Sequence, residues 1–163
     1  MNSCYDYLDS PIGPLLLQAD RDGLSRLALP KQDHAAPAPA DARRDASYLQ
    51  AYREQLHAYF AGRLRRFTLP LNVCGTLFQR AVWQALGEIP YAQTICYADL
   101  AARIGRPRAV RAVGAANAAN PIPIVVPCHR VIGRDGALTG YAGGLDIKRR
   151  LLDLEYHCTH SST

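Results

Sequence analysis

Long apolar runs are missing from this 163-residue sequence. Nothing approaches the roughly 18 to 20 consecutive apolar residues that a membrane-crossing helix needs, so a helical span is excluded and no membrane partner is expected. The opening Met1-Asn2-Ser3-Cys4-Tyr5-Asp6 lacks the basic stretch and apolar core of a secretory leader. The expected location is therefore the cytoplasm, close to the nucleoid if the partner is DNA. There is no Cys-x-x-Cys pair among the cysteines Cys4, Cys74, Cys96, Cys128 and Cys158. Their odd number and wide spacing argue against a zinc site or a dithiol redox motif. In a reducing compartment they are expected as free thiols. No internal repeat is apparent.

What is present is an ordinary globular composition, 48% apolar and 20% charged. The length suits one compact unit or two small lobes. A net charge of +5 and a pI near 9.1 are compatible with a polyanionic partner, although ordinary solvated charge gives the same figures.

Residues 4–29 read as a short antiparallel meander. Tyr5, Tyr7 and Leu8 precede the turn Ser10-Pro11-Ile12-Gly13-Pro14, and Asp20-Arg21-Asp22-Gly23 makes the next bend. Residues 30–44 lack periodicity and read as loop. Ser47 with Gln50 predicts a capping box for a helix bearing Leu49, Tyr52, Leu56 and Tyr59 and closed by Gly62. Phe67 to Leu71 is read as a return strand. Thr76 and Gln79 predict a second capping box, for a helix whose apolar face is Phe78, Val82, Ala85 and Leu86 and that Gly87 stops; Trp83, the only tryptophan, is read as core. The fold class is α/β in the α+β sense. An N-terminal lobe over 1–75, with a flexible loop at about 30–46, precedes a mostly helical lobe over 76–163.

In the second lobe, Tyr97 to Ile104, then Gly105-Arg106-Pro107, then Arg108 to Ala119 make a helix-turn-helix pattern, its second helix opened by proline. That helix is built from small residues, among them Ala112, Gly114 and Ala115. The minor groove of DNA is only about 6 Å wide against about 12 Å for the major groove, and a small-faced helix can press on it. The same small face could instead pack on another helix. Arg103, Arg106, Arg108 and Arg111 cluster here, with Asp99 the only acid between Tyr97 and Asn120. Guanidinium groups bind phosphate bidentately at every relevant pH. Arg111 lies within the small-residue helix, placed to fill a gap in a base stack.

The stretch Asn120-Pro121-Ile122-Pro123-Ile124-Val125-Val126-Pro127-Cys128-His129-Arg130-Val131 carries the chemistry. Three prolines exclude a helix over 120–127, and a rigid, buried, extended approach to Cys128 is expected. A thiolate is the nucleophile, whereas a free thiol has a pKa near about 8.5. His129 can take its proton, directly or through a bridging water. A carboxylate should orient the imidazole, and Glu155, one helical i+4 step from Leu151 on a last helix over 146–157, is the candidate.

Pro127-Cys128-His129-Arg130-Val131 resembles the active-site signature of the O6-alkylguanine-DNA alkyltransferases. The likeness continues through Thr76-Leu77-Phe78-Gln79, Ile89-Pro90-Tyr91, Arg111-Ala112-Val113-Gly114, Asn120-Pro121-Ile122-Pro123 and Leu138-Thr139-Gly140-Tyr141-Ala142-Gly143-Gly144-Leu145. The resemblance implies a ribonuclease H-like first lobe and a winged-helix-like second lobe. It also implies repair of O6-alkylguanine in double-stranded DNA, with O4-alkylthymine as a further substrate left open. The reaction is a single-turnover transfer to Cys128 after base flipping. Cys128 then accepts the alkyl group, while His129 and a water relay its proton and Glu155 holds His129. Tyr97 donates to the flipped guanine, Asn120 braces the turn before the cysteine, and Arg111 replaces the extruded nucleotide. Val131, Tyr141, Ala142 and Gly143 belong to the guanine pocket. No cofactor and no metal are implied, and a monomer is expected, with cooperative loading on DNA left open.

Three departures from the family pattern stand out. Cys96 occupies a position often held by Ser or Thr, Ala92 replaces a common glycine, and Ala142 replaces a frequent serine. The zinc ligands of some animal relatives are not reproduced around Cys4 and His34. The principal alternative is a lesion-binding relative that does not repair, but such proteins replace the nucleophilic cysteine. A cysteine hydrolase would leave the arginine-bearing helix without a role.

Overall fold

A computed structural model describes residues 2–161; Met1, where the leader reading begins, lies outside them. The chain divides into two compact units, Met1–Cys74 and Gly75–Thr163. Among the described residues no helix is long and apolar enough to cross a membrane.

The first unit is built on one four-stranded sheet. β1 (Ser3–Leu8), β2 (Leu15–Asp20) and β3 (Gly23–Ala28) form the expected antiparallel meander. Leu15, Leu16 and Leu17 are all buried, as expected for an inner strand covered on both faces. Part of the stretch read as loop is strand. β4 (Ala42–Arg44) pairs parallel with β1, Ser3 opposite Ala42. A three-residue strand is too short to show a period.

Two further expectations fail locally. The helix α1 (Gln50–Phe60) starts at Gln50, and its N-cap Leu49 offers no side-chain cap. The polar work falls to Asp45, whose Oδ1 accepts from the Tyr48 N–H at 3.0 Å, so the Ser47–Gln50 box does not form. Phe67–Leu71 makes only an isolated bridge, Leu71 to Leu24. The contact is close enough that a Cβ on Gly23 (φ +138°) would sit 2.6 Å from the Pro70 carbonyl oxygen. Gly62, with φ +74°, does follow α1 in the left-handed conformation.

In the second unit, α2 (Leu77–Gly87) opens with both halves of the expected box. The Gln79 N–H donates to Thr76 Oγ1 at 3.1 Å, and the Thr76 N–H to Gln79 Oε1 at 3.0 Å; such a cap contributes about 1 kcal/mol. Trp83 is core, and its indole N–H donates to the Ala116 carbonyl at 2.8 Å. Gly87 belongs to the last turn of α2 and does not reverse the chain, since the C-cap Glu88 is right-handed. α3 (Tyr97–Arg103), Gly105 at φ +72° and α4 (Val110–Ala118) give the helix-turn-helix. Pro107 does not open α4. It sits inside a turn closed by the Ala109 N–H on the Arg106 carbonyl at 2.9 Å, where its fixed φ suits the second position.

A two-stranded parallel ladder then sets the chemistry. β5 (Ile95–Cys96) pairs with β6 (Val131–Ile132), Ile95 opposite Val131. It fixes the start of α3 against the chain just after Cys128. α5 (Leu145–His160) buries Ile147, Lys148, Leu151 and Glu155 on one face; their i, i+4, i+8 spacing is that of a single helical stripe.

Candidate active site

Cys128 is delivered by a tight turn rather than an extended approach. The Val126 N–H donates to the Ile122 carbonyl at 3.0 Å, and Ile124 takes φ +75°. A β-branched residue there costs on the order of 1–3 kcal/mol and persists only where its surroundings over-determine it. Ile124 is buried, and Asn120 clamps both sides of the turn. Asn120 Oδ1 accepts from the Ile122 N–H at 3.0 Å, and Nδ2 donates to the Val126 carbonyl at 2.8 Å. Cys128 then enters a single 3-10 turn, Cys128–Arg130, and is 4% exposed.

Behind the cysteine the structure assembles a buried charge cluster. His129 Nε2 lies 2.6 Å from Glu155 Oε2, both side chains fully buried. Arg130 Nε donates to Glu155 Oε1 at 2.8 Å, its Nη2 to Oε2 at 3.1 Å and its Nη1 to the Ile89 carbonyl at 2.8 Å. The Ala92 N–H adds a bond to Glu155 Oε1 at 3.1 Å, from a residue at φ +62°. Burial alone would push the Glu155 carboxyl up, but the hydrogen bonds from His129 and Arg130 and the Arg130 charge outweigh it and hold it well below the usual carboxylate range. An ionised carboxylate only accepts, so His129 Nε2 carries the hydrogen and Nδ1 keeps its lone pair. Burial lowers the His129 pKa against the opposing pull of Glu155, leaving a neutral imidazole at neutral pH. Burial likewise pushes the Cys128 thiol up to about 11, against the Asn120 side chain and the charge of Lys148. A thiol in that state needs a base at hand.

Lys148 is fully buried on α5. Its Nζ donates to the Val131 carbonyl at 2.6 Å and the Thr139 carbonyl at 2.8 Å, tying the segment between β6 and α5 to the strand that follows Cys128. Tyr97 reaches the same segment, its hydroxyl donating to the Thr139 carbonyl at 3.2 Å. The Tyr141 hydroxyl is buried without a protein partner among the described residues. Burial raises its pKa, with the charges of Cys128 and Glu155 next. Ala142 and Gly143 occupy the turn closed by the Gly144 N–H on the Tyr141 carbonyl at 2.9 Å.

Cys128, His129, Glu155, Tyr97, Asn120, Val131 and Tyr141 thus converge on one end of the second unit. Arg103, Arg106, Arg108 and Arg111 are all exposed, together with Ala112 and Ala115. α4 therefore has two small faces: Val113, Ala116 and Asn117 pack inward, and Arg111, Ala112 and Ala115 face out. Gly114 is not required by any close contact inside the protein, since a methyl there meets only Tyr97 Cδ1 at 3.9 Å.

Sequence reasoning missed Arg130, Lys148 and Ala92 as parts of this cluster. The i−7 spacing of Lys148 from Glu155 puts it on the buried stripe of α5, and that was the available signal. At Cys96, Asp99 closes half of a cap by accepting the Cys96 N–H at 3.2 Å. Among the described residues no group of three or more His, Cys, Asp or Glu is placed to hold a metal ion.

Two sequence models match the chain. One, described as 6-O-methylguanine DNA methyltransferase, ribonuclease-like domain, covers residues 4–73, and the other, the DNA binding domain of the same family, covers 77–157. A methylated-DNA–protein-cysteine methyltransferase of Methanosarcina barkeri is 52% identical over 93% of this chain and 96% of that protein. A protein of the same name from Mycobacterium leprae is 48% identical over 92% and 90%. The crystal structure of Mycobacterium tuberculosis OGT in complex with DNA matches with a TM-score of 0.87 at 47% identity, covering 95% of this chain and 94% of that one.

Proposed function

The chain belongs to the 6-O-methylguanine DNA methyltransferase family, and from that premise we propose that it repairs O6-alkylguanine in duplex DNA by moving the alkyl group onto Cys128. The observation that carries the assignment to this residue is the buried Cys128 thiol beside a neutral, Glu155-bound His129.

The lesion must leave the base stack to reach a buried thiol, at a cost of a few kcal/mol. The exposed arginines around α4 bind the backbone and offset that cost, and Arg111 takes the vacated place. The extruded base enters beside Tyr97 and the 139–143 segment, the Tyr97 hydroxyl exchanging the Thr139 carbonyl for the base. His129 Nδ1 removes the thiol proton through a water, and Glu155 stabilises the imidazolium that results. The thiolate sulfur then forms a bond to the alkyl carbon as the carbon–O6 bond breaks. The electron pair stays on guanine, whose developing charge the Tyr97 hydroxyl stabilises by donating a hydrogen bond, and the proton taken from the thiol passes from the His129 imidazolium through solvent to the departing base, leaving both side chains neutral. The product is a thioether, which has no carbonyl for water to attack, so each molecule acts once.

A lesion-binding protein without transfer is the alternative, and the presence of Cys128 opposes it. We further read the protein as monomeric and cytoplasmic. Incubation with an O6-methylguanine duplex tests the central reading. One added methyl group on the peptide containing Cys128, one per molecule, is expected. An unmodified Cys128 sinks it.

A further inference from the structure

Asn117 sits in the last turn of α4 and is 2% exposed. Asparagine is a poor choice there on packing grounds. It is a weaker helix former than alanine, and a buried carboxamide without partners is costly. Its Nδ2 reaches the Cys128 carbonyl at 3.5 Å, the limit of a hydrogen bond, and its Oδ1 has no partner among the described residues. His129 Nδ1 is the second unpartnered buried acceptor beside Cys128. Two buried lone pairs flanking Cys128 in the fold and in sequence thus lack a donor, while the thiol between them has a proton to give up. A water has two hydrogens and two lone pairs, and buried waters make about three hydrogen bonds to such groups.

We infer that Asn117 is a positioning residue for ionisation of Cys128: its Oδ1 and His129 Nδ1 together hold the water that takes the thiol proton. This rests on the transfer reaction proposed above. The water donates one hydrogen to Oδ1 and the other to Nδ1, and accepts from the S–H. In the step itself, the S–H bond breaks as the water gains that proton. The water's own hydrogen passes to Nδ1, leaving thiolate and imidazolium with the water intact. Asn117 neither gains nor loses a proton. It fixes the water's orientation, so that the hydrogen facing the imidazole is the one transferred. The charged and titratable groups facing Cys128 and His129 are Glu155 and Lys148 from α5, Arg130 from the same 3-10 turn, and Tyr141 from the 133–144 segment. The residue from α4 is the uncharged Asn117, so its replacement removes a water ligand without altering a formal charge.

The test compares the pH dependence of transfer from free benzylguanine to Cys128 in the wild type, Asn117→Leu and Asn117→Ser. The isosteric leucine variant should react about tenfold or more slowly near neutral pH, because general-base assistance of this kind contributes about 10²–10⁴-fold when complete. It should regain most of the wild-type rate in strong alkali, where hydroxide ionises the thiol unaided. Serine, whose hydroxyl can accept from the water, should restore much of the neutral rate. A leucine profile parallel to the wild type, whether lowered or unchanged, overturns the inference, since a purely structural role would not reshape it. Should the leucine variant fail to fold, a high-resolution crystal structure of the wild type decides. Water density within hydrogen-bonding distance of both Oδ1 and Nδ1 supports the inference, and its absence overturns it. A wild type that takes no alkyl group on Cys128 would instead defeat the proposed function, and this inference with it.

Discussion

Arg130 and Glu155 form a two-pronged ion pair beneath the Cys128 turn, Nε to Oε1 at 2.8 Å and Nη2 to Oε2 at 3.1 Å. The carboxylate that holds the His129 imidazole is therefore also the counterion of a buried guanidinium. Removing it strands that charge, which typically costs about 3–5 kcal/mol. Glu155→Gln should lower the urea midpoint of unfolding by that order as well as slow transfer. Arg130→Met should cost less, since His129 and the Ala92 N–H still serve the carboxylate. Equal midpoints for wild type and Glu155→Gln would contradict the pairing.

The same cluster sets an acid limit on stability. Glu155 and His129 both have folded pKa values below their ordinary ones, 4.5 and 6.5. For each group the unfolded chain binds protons more readily than the folded one. The stability they contribute is thus present above the unfolded values and is lost as pH falls. Calorimetric melting temperatures should decline first below about pH 6.5, from His129, and more steeply below about 4.5, from Glu155. His129→Gln should flatten the first of these declines. A profile insensitive to that substitution would contradict the buried neutral imidazole.

Which parts of this were legible in the sequence follows from how local each signal is. The Thr76–Gln79 box needs residues three apart, and it formed as read. The Ser47–Gln50 pair has the same spacing, yet the Gln50 N–H goes to the Ser47 backbone carbonyl at 3.3 Å and Asp45 holds the preceding turn through the Tyr48 N–H, so α1 begins after Leu49 without a side-chain cap. β4 depends on pairing with β1 some forty positions earlier, and three residues carry no period. Glu155 could be placed by helical spacing from Leu151. Lys148 shares the α5 stripe with Glu155 by spacing, but Arg130 carried no such signal, since a cation in sequence reads as solvated unless its burying partner is known. The turn before Cys128 was hidden by Ile124, a residue type that normally avoids positive φ.

Lys148 provides a third test. Its two bonds fix the carbonyls of Val131 and Thr139, and its charge is the cation that favours the Cys128 thiolate. Lys148→Met preserves length and apolar bulk while removing both effects. Amide hydrogen exchange across 133–144 should accelerate, and benzylguanine transfer at neutral pH should slow. Stranding buried carbonyls costs about 1–3 kcal/mol each in general, so some loss of stability is also expected. Unchanged exchange in that segment would show that Tyr97 alone holds it.

Recognition of duplex DNA can be separated from the chemistry at Arg111. Its side chain is exposed on the small outer face of α4, beside Ala112 and Ala115, and it has no place among the groups around Cys128. Free benzylguanine needs no base flipping, so Arg111→Ala should leave its transfer within about twofold, whereas a duplex substrate must be unstacked at a cost of a few kcal/mol. If Arg111 fills the gap as proposed, its loss should therefore slow duplex repair by about tenfold or more. The flanking Arg103, Arg106 and Arg108 should behave differently. If each neutralises one phosphate, replacing it by alanine lowers the slope of log affinity against log salt by about 0.9, without selectively affecting the flipped state. Equal losses on free base and duplex for Arg111→Ala would place that arginine in the pocket or in folding. A duplex-specific loss with an unchanged salt slope would instead separate gap filling from phosphate binding, because the one acts on the stack and the other on the released counterions.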